Sequence, residues 1–422
     1  MSGRPLAALI LAAGRGKRMN SDLVKVLHKA AGVPLIEHVL GSVRSAGIQN
    51  IAVVIGTQGN QLRSFLKGVK FVDQKIQLGT GHAVLQAKRE FQNWSGDLLV
   101  LPADAPCVRF ETLDELVAPH RESRAAASIL TADLLNPSGY GRILRRGEEV
   151  VGIREELDAS DDERKITEIN SGIYVFNARK LFKELVLIKQ NSRKKEYYLT
   201  DVIEAFVRAG ESVRAHKIEQ EQEILGVNTR KELSVAHQIL NDRELERHSK
   251  AGVTILDPDQ TVIAKGVKIG RDSVIHPFTW IESDVVIGAK CEIGPFAKIR
   301  AGTKIADEVV VGSFVEVVRT KIGSKTFVKH LTYLGDAQIG KKVNVGAGTI
   351  TANFNGKTKN KIVIRDGAFI GCDTILIAPV TVGKRAKTGA GAVLPAGQNI
   401  PAGKTVVGIP AKLVEKNKRK AK

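Results

Sequence analysis

A six-residue period constrains this chain more than any other feature. Aliphatic residues fall at Ile263, Ile269, Ile275, Ile281, Ile287, Ile293, Ile299, Ile305, Val311 and Val317, and the register returns at Ile364, Ile370, Leu376 and Val382. Neither an α-helix nor a two-residue strand alternation repeats every six positions, but a hexapeptide repeat does. Glycine often follows the aliphatic residue, as in Ile269-Gly270, Ile287-Gly288 and Ile370-Gly371. Three hexapeptides close one triangular coil of a parallel β-helix, with the aliphatic side chains stacked inside and small residues at the corners. The pattern predicts such a β-helix over 252–393, closed by turns at Pro395, Pro401 and Pro410. It is interrupted around 329–336 and 351–361, where loops leaving a rigid stack are expected to carry function.

The first half reads differently. Short apolar runs at 6–11, 51–55, 98–101, 126–131 and 172–176 predict strands, and 33–46, 81–92 and 201–209 predict helices. Strand–helix alternation predicts an open, mostly parallel Rossmann-like α/β sheet that binds ligands at its strand C-termini. A polar, helix-prone stretch at 229–251 predicts a connecting helix. The expected domains are 1–228, the linker helix 229–251, and 252–422.

The net charge is +19, and about 29 of the 64 Lys and Arg, against about 13 of the 45 Asp and Glu, lie from Arg247 onward. A basic stretch closes the chain at 416–422. Aromatic residues are scarce and are not interleaved with the basic ones, as a base-stacking surface requires. A basic face for anionic small molecules is therefore expected, not a nucleic-acid site. No apolar run reaches the roughly 20 residues that span a bilayer, and no signal-peptide core is evident. Cys107, Cys291 and Cys372 are too scattered for a disulfide framework or a zinc site. A cytoplasmic protein without a membrane partner is expected.

Three clusters in the first half carry chemistry. Leu11-Ala12-Ala13-Gly14-Arg15-Gly16-Lys17-Arg18-Met19 follows the first strand, and a glycine-rich turn with basic residues suits a phosphate. It matches neither G-x-G-x-x-G nor a Walker loop. Gln77-Leu78-Gly79-Thr80-Gly81-His82 opens a helix. Leu99-Val100-Leu101-Pro102-Ala103-Asp104 ends a strand in a carboxylate able to ligate Mg²⁺; on its own, a turn aspartate is an equal reading. In the second half, His330 stands at a break in the repeat, and a neutral imidazole suits general base work near pH 7. Spacing alone favours a structural histidine there.

These clusters, with Ser138–Ile143, Glu168–Tyr174, Glu196–Asp201, Gly226–Arg230, Ile293–Gly302, Lys329–Gly340 and Val343–Gly356, run in the same order as in one family. Over nearly its whole length the chain resembles the bifunctional N-acetylglucosamine-1-phosphate uridyltransferase/glucosamine-1-phosphate acetyltransferases. The resemblance implies a nucleotidyltransferase domain followed by a left-handed parallel β-helix acetyltransferase domain. It also implies synthesis of UDP-N-acetylglucosamine for cell-envelope precursors, substrates UTP and acetyl-CoA, Mg²⁺, and a homotrimer with acyl sites between subunits. By resemblance Arg18 and Lys25 neutralise phosphate charge, and Asp104 and Asn228 hold Mg²⁺. Leu11, Ala12, Ala13, Gly14, Gln74, Gly79 and Thr80 hold the uridine nucleotide, while Gly141, Glu155 and Asn170 hold the sugar. His330 is the implied acetyltransferase base, with Glu316 assisting. Arg300, Tyr333, Asn344 and Lys359 are the implied sugar-phosphate ligands, and Ala347, Asn353, Phe354, Cys372 and Ala390 line the implied acetyl-CoA path.

The chain departs from the family pattern at Lys17 (usually threonine), Val24 (proline), Ala103 (glycine), Val318 (lysine) and Phe354 (tyrosine). Two alternatives stand beside the bifunctional reading. One is a sugar-1-phosphate nucleotidyltransferase whose β-helix serves assembly or regulation. The other is a non-enzymatic trimeric scaffold, against which the retention of Lys25, Asp104, Asn228 and His330 argues.

Overall fold

The computed structural model describes residues 4–414 apart from 92, 192 and 194. The expected helix end at Gln92 and the basic stretch 416–422 lie outside the described residues. The chain divides into two compact units, one through Ile239 and one from Leu240.

The sheet of the first unit has the spatial order Val213–Ile218, Ala127–Asp133, Glu168–Asn177, Asp97–Pro102, Leu6–Ala12, Ile51–Ile55, Lys70–Asp73. Leu6–Ala12 pairs in parallel with Ile51–Ile55 on one side and Asp97–Pro102 on the other. A strand covered on both faces is apolar at consecutive positions, which is why these runs are continuous in the sequence. Glu168–Asn177 is the exception to the parallel pattern, antiparallel to both of its neighbours. A hairpin, Arg142–Arg146 and Glu149–Arg154, joins its start through Ile169 and Arg142. The helix expected over 81–92 is two, Thr80–Gln86 and Lys88–Phe91, broken at Ala87. No Gly or Pro marks that break, so the pattern did not show it.

In the second unit every coil presents the same three faces. One face includes Val274–Ile275 and Glu292–Ile293, the next Trp280–Ile281 and Lys298–Ile299, the third Val286–Ile287 and Lys304–Ile305, each strand pairing in parallel with its equivalent one coil on. All the periodic aliphatic residues belong to one core, only Ile269 being partly exposed. The end next to the helix Arg230–Lys250 is closed by that helix's last turns: Leu245 joins the core, and Asn241 bonds the Thr261 carbonyl (2.9 Å) and the Ile263 amide (3.0 Å).

The two interruptions differ in kind. Around 329–336 no loop leaves the stack. Phe327–Gly335 is a nine-residue strand paired along its length with Val310–Val318. Stacked partners are 18 residues apart at Ile281 and Ile299 but 17 apart at Ile305 and Ile322. Ile322 and Ile339 are again 17 apart, so the break in the period is a one-residue shortening repeated in two successive coils, after Val317 and after Leu334, each absorbed at the same corner. The second interruption is a true insertion. Ile339 stacks on Ile364, 25 residues on, and the excess forms a small loop in which Phe354 bridges Lys359. Coiling also continues past residue 393, with Thr405–Val407 still parallel to Lys387–Thr388 and Lys412–Leu413 folding back antiparallel.

Candidate functional sites

The first site is a cleft of about 740 Å³ at the C-terminal ends of Leu6–Ala12 and Asp97–Pro102. Leu11, Ala12, Ala13, Gly14, Lys25, Gln74, Gly79, Thr80, Asp104, Glu155 and Asn170 all line it. Three residues expected here do not. Arg18 is exposed in the short turn Lys17–Met19, Gly141 is buried behind Asn170, whose amide its carbonyl accepts (2.8 Å), and Asn228 touches the cleft only through Lys25. Arg15, Gln77, Tyr198 and Thr200 line the cleft as well. Arg15 was legible as one of the basic residues of the glycine-rich loop; the residue types of Gln77, Tyr198 and Thr200 do not single them out, and the signal available was their membership in the Gln77–Ala83 turn and the Glu196–Asp201 segment.

The phosphate-type loop is shaped by Gly16, at φ 57° in the left-handed region; a Cβ there would lie 2.8 Å from Cβ of Lys25. The missing side chain lets Lys25 pass under the loop toward Asp104. Its ammonium ion-pairs with Asp104 and donates to Asn228 Oδ1 at 3.0 Å. Two oxygen donors thus converge on one cation. That donor set fits a hard divalent ion such as Mg²⁺, which completes its shell with substrate phosphates and water. Among the described residues no group of three or more His, Cys, Asp or Glu could hold a metal.

Across the cleft, buried Gln74 donates from Nε2 to the Gly79 carbonyl (3.1 Å) and lies 3.0 Å from Nδ1 of His82. Burial holds the His82 ring below its ordinary pKa. Asn170 donates to the Tyr174 hydroxyl (2.7 Å) and accepts from the Gly172 amide (3.1 Å), and Glu155 accepts from Thr200 (3.0 Å). Burial first, then the carboxylates of Asp158 and Glu155, pushes the Tyr198 phenol up to about 12. The cleft therefore sets cations and main-chain amides at one end and neutral or acidic hydrogen-bonding groups at the other.

The second site lies on the β-helix. Ser313 pairs with His330, and a ladder of corner hydrogen bonds continues the column: the Gly348 amide to the Leu331 carbonyl (2.9 Å), Asp373 to Ala347 (2.7 Å) and Gly391 to Cys372 (2.8 Å). One corner thus carries His330, Ala347, Cys372 and Ala390 in sequence, His330, Cys372 and Ala390 being exposed. On the earlier coils the same corner carries Phe278, Phe296 and Phe314, stacked at 4.7 and 5.0 Å and exposed.

On the adjoining face Glu316 pairs in register with Tyr333 and bonds Arg300 at 2.8 Å. That bond, first among the causes, raises the pKa of Arg300. Asn344 sits on the other side of the corner, beside Phe327. At the next corner Arg319 grips Asp336 with two bonds of 2.6 and 2.7 Å, and buried Asn353 donates to the same carboxylate. Arg319 thereby holds Asp336 well below the usual carboxylate range. Val318 is buried, so no cation stands at its position, and Arg319 is already paired. Phe354 and Lys359 are exposed in the inserted loop.

A MobA-like NTP transferase domain matches residues 8–169. Bacterial transferase hexapeptide repeats match 284–319, and the hexapeptide repeat of succinyl-transferase matches 361–396. The bifunctional protein GlmU of Acetivibrio thermocellus is 42% identical over 424 residues, covering 92% of this chain and 92% of that protein. Those of Syntrophomonas wolfei (42%, covering 92% and 94%) and Brevibacillus brevis (41%, covering 93% and 93%) are similar to the same extent.

Proposed function

The chain belongs to the family of the bifunctional protein GlmU, and from that membership we propose how its two halves divide the chemistry. The chain is a bifunctional transferase that makes UDP-N-acetylglucosamine, by acetyl transfer to glucosamine 1-phosphate and uridylyl transfer to N-acetylglucosamine 1-phosphate.

In the first half a phosphate oxygen of the sugar attacks the α-phosphorus of UTP, and the bond to the departing pyrophosphate breaks. Such a step needs in-line positioning and charge neutralisation more than an acid or base. Lys25 supplies a cation within the cleft and Arg18 one from the exposed turn outside its lining, Gln74 and Gly79 face the uracil, and Glu155 and Asn170 take the sugar hydroxyls. Mg²⁺, held by Asp104 and Asn228 when bound, would neutralise phosphate charge. The convergence of Lys25, Asp104 and Asn228 at the mouth of a glycine-rich loop is the observation that supports this reading most.

In the second half the amine of glucosamine 1-phosphate attacks the thioester carbonyl of acetyl-CoA. His330 takes the amine proton, and the CoA thiolate leaves. The column His330, Ala347, Cys372, Ala390 supports a path for the thioester arm along one corner, and Asn353 at the next corner and Phe354 in the inserted loop are its further proposed contacts. Arg300, Tyr333, Asn344 and Lys359 bind the sugar phosphate. A homotrimer is supported by the exposed Phe278–Phe296–Phe314 stack on the same corner. Among the described residues no helix is long and apolar enough to cross a membrane, and a cytoplasmic location is proposed. Pyrophosphate release from UTP and N-acetylglucosamine 1-phosphate tests the first half. Activity that depends on UTP but persists without the sugar phosphate would contradict it.

A further inference from the structure

Gln77 stands between the two parts of the cleft that must hold one nucleotide. Its Nε2 donates to the Ala13 carbonyl, and its Oε1 accepts from Nε of Arg15. Both partners belong to the loop after the first strand, whereas Gln77 belongs to the turn that includes Gly79 and opens the helix Thr80–Gln86. Room for this arrangement comes from Gly56 at the end of the next strand. A Cβ there would lie 2.5 Å from Gln77 Nε2 and 2.7 Å from the Ala13 carbonyl oxygen. Among the described residues Gly14 and Arg15 make no main-chain hydrogen bond, so the loop's position depends on what its neighbours' side chains do.

The contact through Nε also fixes how Arg15 is presented. A guanidinium has five donors in a planar fork. With Nε engaged by Gln77, the two terminal amino groups remain for an outside acceptor, and Arg15 lines the cleft. A carboxamide is the side chain that can make this bridge, since it donates to a carbonyl with one end and accepts from an arginine with the other.

We propose that Gln77 is a positioning residue that locks the triphosphate-binding loop to the base-reading segment, and that Arg15, aimed by Gln77, is a further phosphate-contacting cation for the nucleoside triphosphate. This rests on the uridylyltransferase reading of the cleft. Reading the base and gripping the triphosphate become one event, because Gln74, Gln77 and Gly79 share a single short segment.

The test uses the full-length chain, with inorganic tripolyphosphate as the probe of the phosphate loop, uridine as the probe of the base pocket, and acetyl transfer as the control for folding. Wild type is assayed first. Absence of pyrophosphate release there overturns the uridylyltransferase reading itself, independently of the variants. Given an active wild type, Arg15→Ala is expected to weaken tripolyphosphate binding and raise the KM for UTP about tenfold, the scale of one charge-assisted hydrogen bond. Uridine binding and acetyl transfer should not change. Gln77→Ala should do at least as much, and adding Arg15→Ala to it should cost little more, since Arg15 acts through Gln77. Gln77→Glu, which keeps an acceptor for Arg15 but loses the donor to Ala13, should not rescue. Additive effects of the two alanine substitutions, or tripolyphosphate affinity unchanged by Arg15→Ala, would overturn the inference while leaving the uridylyltransferase reading intact.

Discussion

The ammonium of Lys25 lies against the carboxylate of Asp104, with Asn228 Oδ1 3.0 Å from the same nitrogen. The side chains are only 10% and 20% exposed, so the charge pair is poorly screened. Lys25 therefore occupies the point on which the two proposed metal ligands converge. In the absence of nucleotide, lysine and divalent ion compete for the same oxygens. Lys25→Ala is expected to bind Mn²⁺ about tenfold more tightly without nucleotide, a difference of ~1.4 kcal/mol, measured by electron paramagnetic resonance. The same variant should lose uridylyl transfer by roughly 10²- to 10³-fold, the usual scale for removing a group that stabilises developing charge. Unchanged Mn²⁺ affinity would show that Lys25 does not hold the metal's place.

His330 and Asp104 should separate the two activities. Asp104→Ala should abolish uridylyl transfer and leave acetyl transfer intact. His330→Ala should lower acetyl transfer by roughly 10²- to 10⁴-fold, as for a lost general base, and leave uridylyl transfer intact. Steady-state rates of both reactions on each variant decide this.

Asp336 holds Arg319 and Asn353 at once. Asp336→Ala leaves Asn353 without the oxygen that orients it and Arg319 without its counter-ion. The KM for acetyl-CoA is expected to rise about tenfold, the scale of a hydrogen bond to a charged group, with kcat changing less. An unchanged KM would remove Asn353 from the acetyl-CoA path.

The buried His248, in the helix that closes the β-helix, has its pKa lowered to about 4 by burial and then by Arg247. Unfolded, it titrates near 6.5. Between those values the unfolded chain binds the proton that the folded chain refuses. Stability is therefore fully present above about pH 6.5 and falls as the pH drops toward 4. Thermal melts from pH 7.5 to 4 should show this acid loss, and His248→Gln should flatten it. An identical pH profile for the variant would contradict the assignment.

The period of six was legible because each aliphatic residue from Ile263 to Val317 has the same environment, repeated by translation along one core. Its breaks were visible in the sequence but not their kind. Deletions of one residue between Val317 and Ile322 and between Leu334 and Ile339, and an insertion before Ile364, all look like lost register, and only pairing distinguishes a shortened corner from a loop. In the first half Lys25 and Asp104 were legible as charged residues following apolar strands, and Gln74 only through the family resemblance. The bridge from Gln77 to Arg15 and Ala13 was not, because it joins segments 62 residues apart, and a glutamine carries no spacing rule. The antiparallel Glu168–Asn177 strand was likewise hidden, since a strand buried between two others is apolar whichever way it runs.

One chain performs both transfers. The most direct test is release of free CoA thiol from acetyl-CoA and glucosamine 1-phosphate by the full-length chain, read beside pyrophosphate release from UTP and N-acetylglucosamine 1-phosphate. Wild type is expected to give both products and His330→Ala only pyrophosphate. Pyrophosphate release without any thiol release from wild type would contradict it and leave a nucleotidyltransferase whose β-helix serves another purpose.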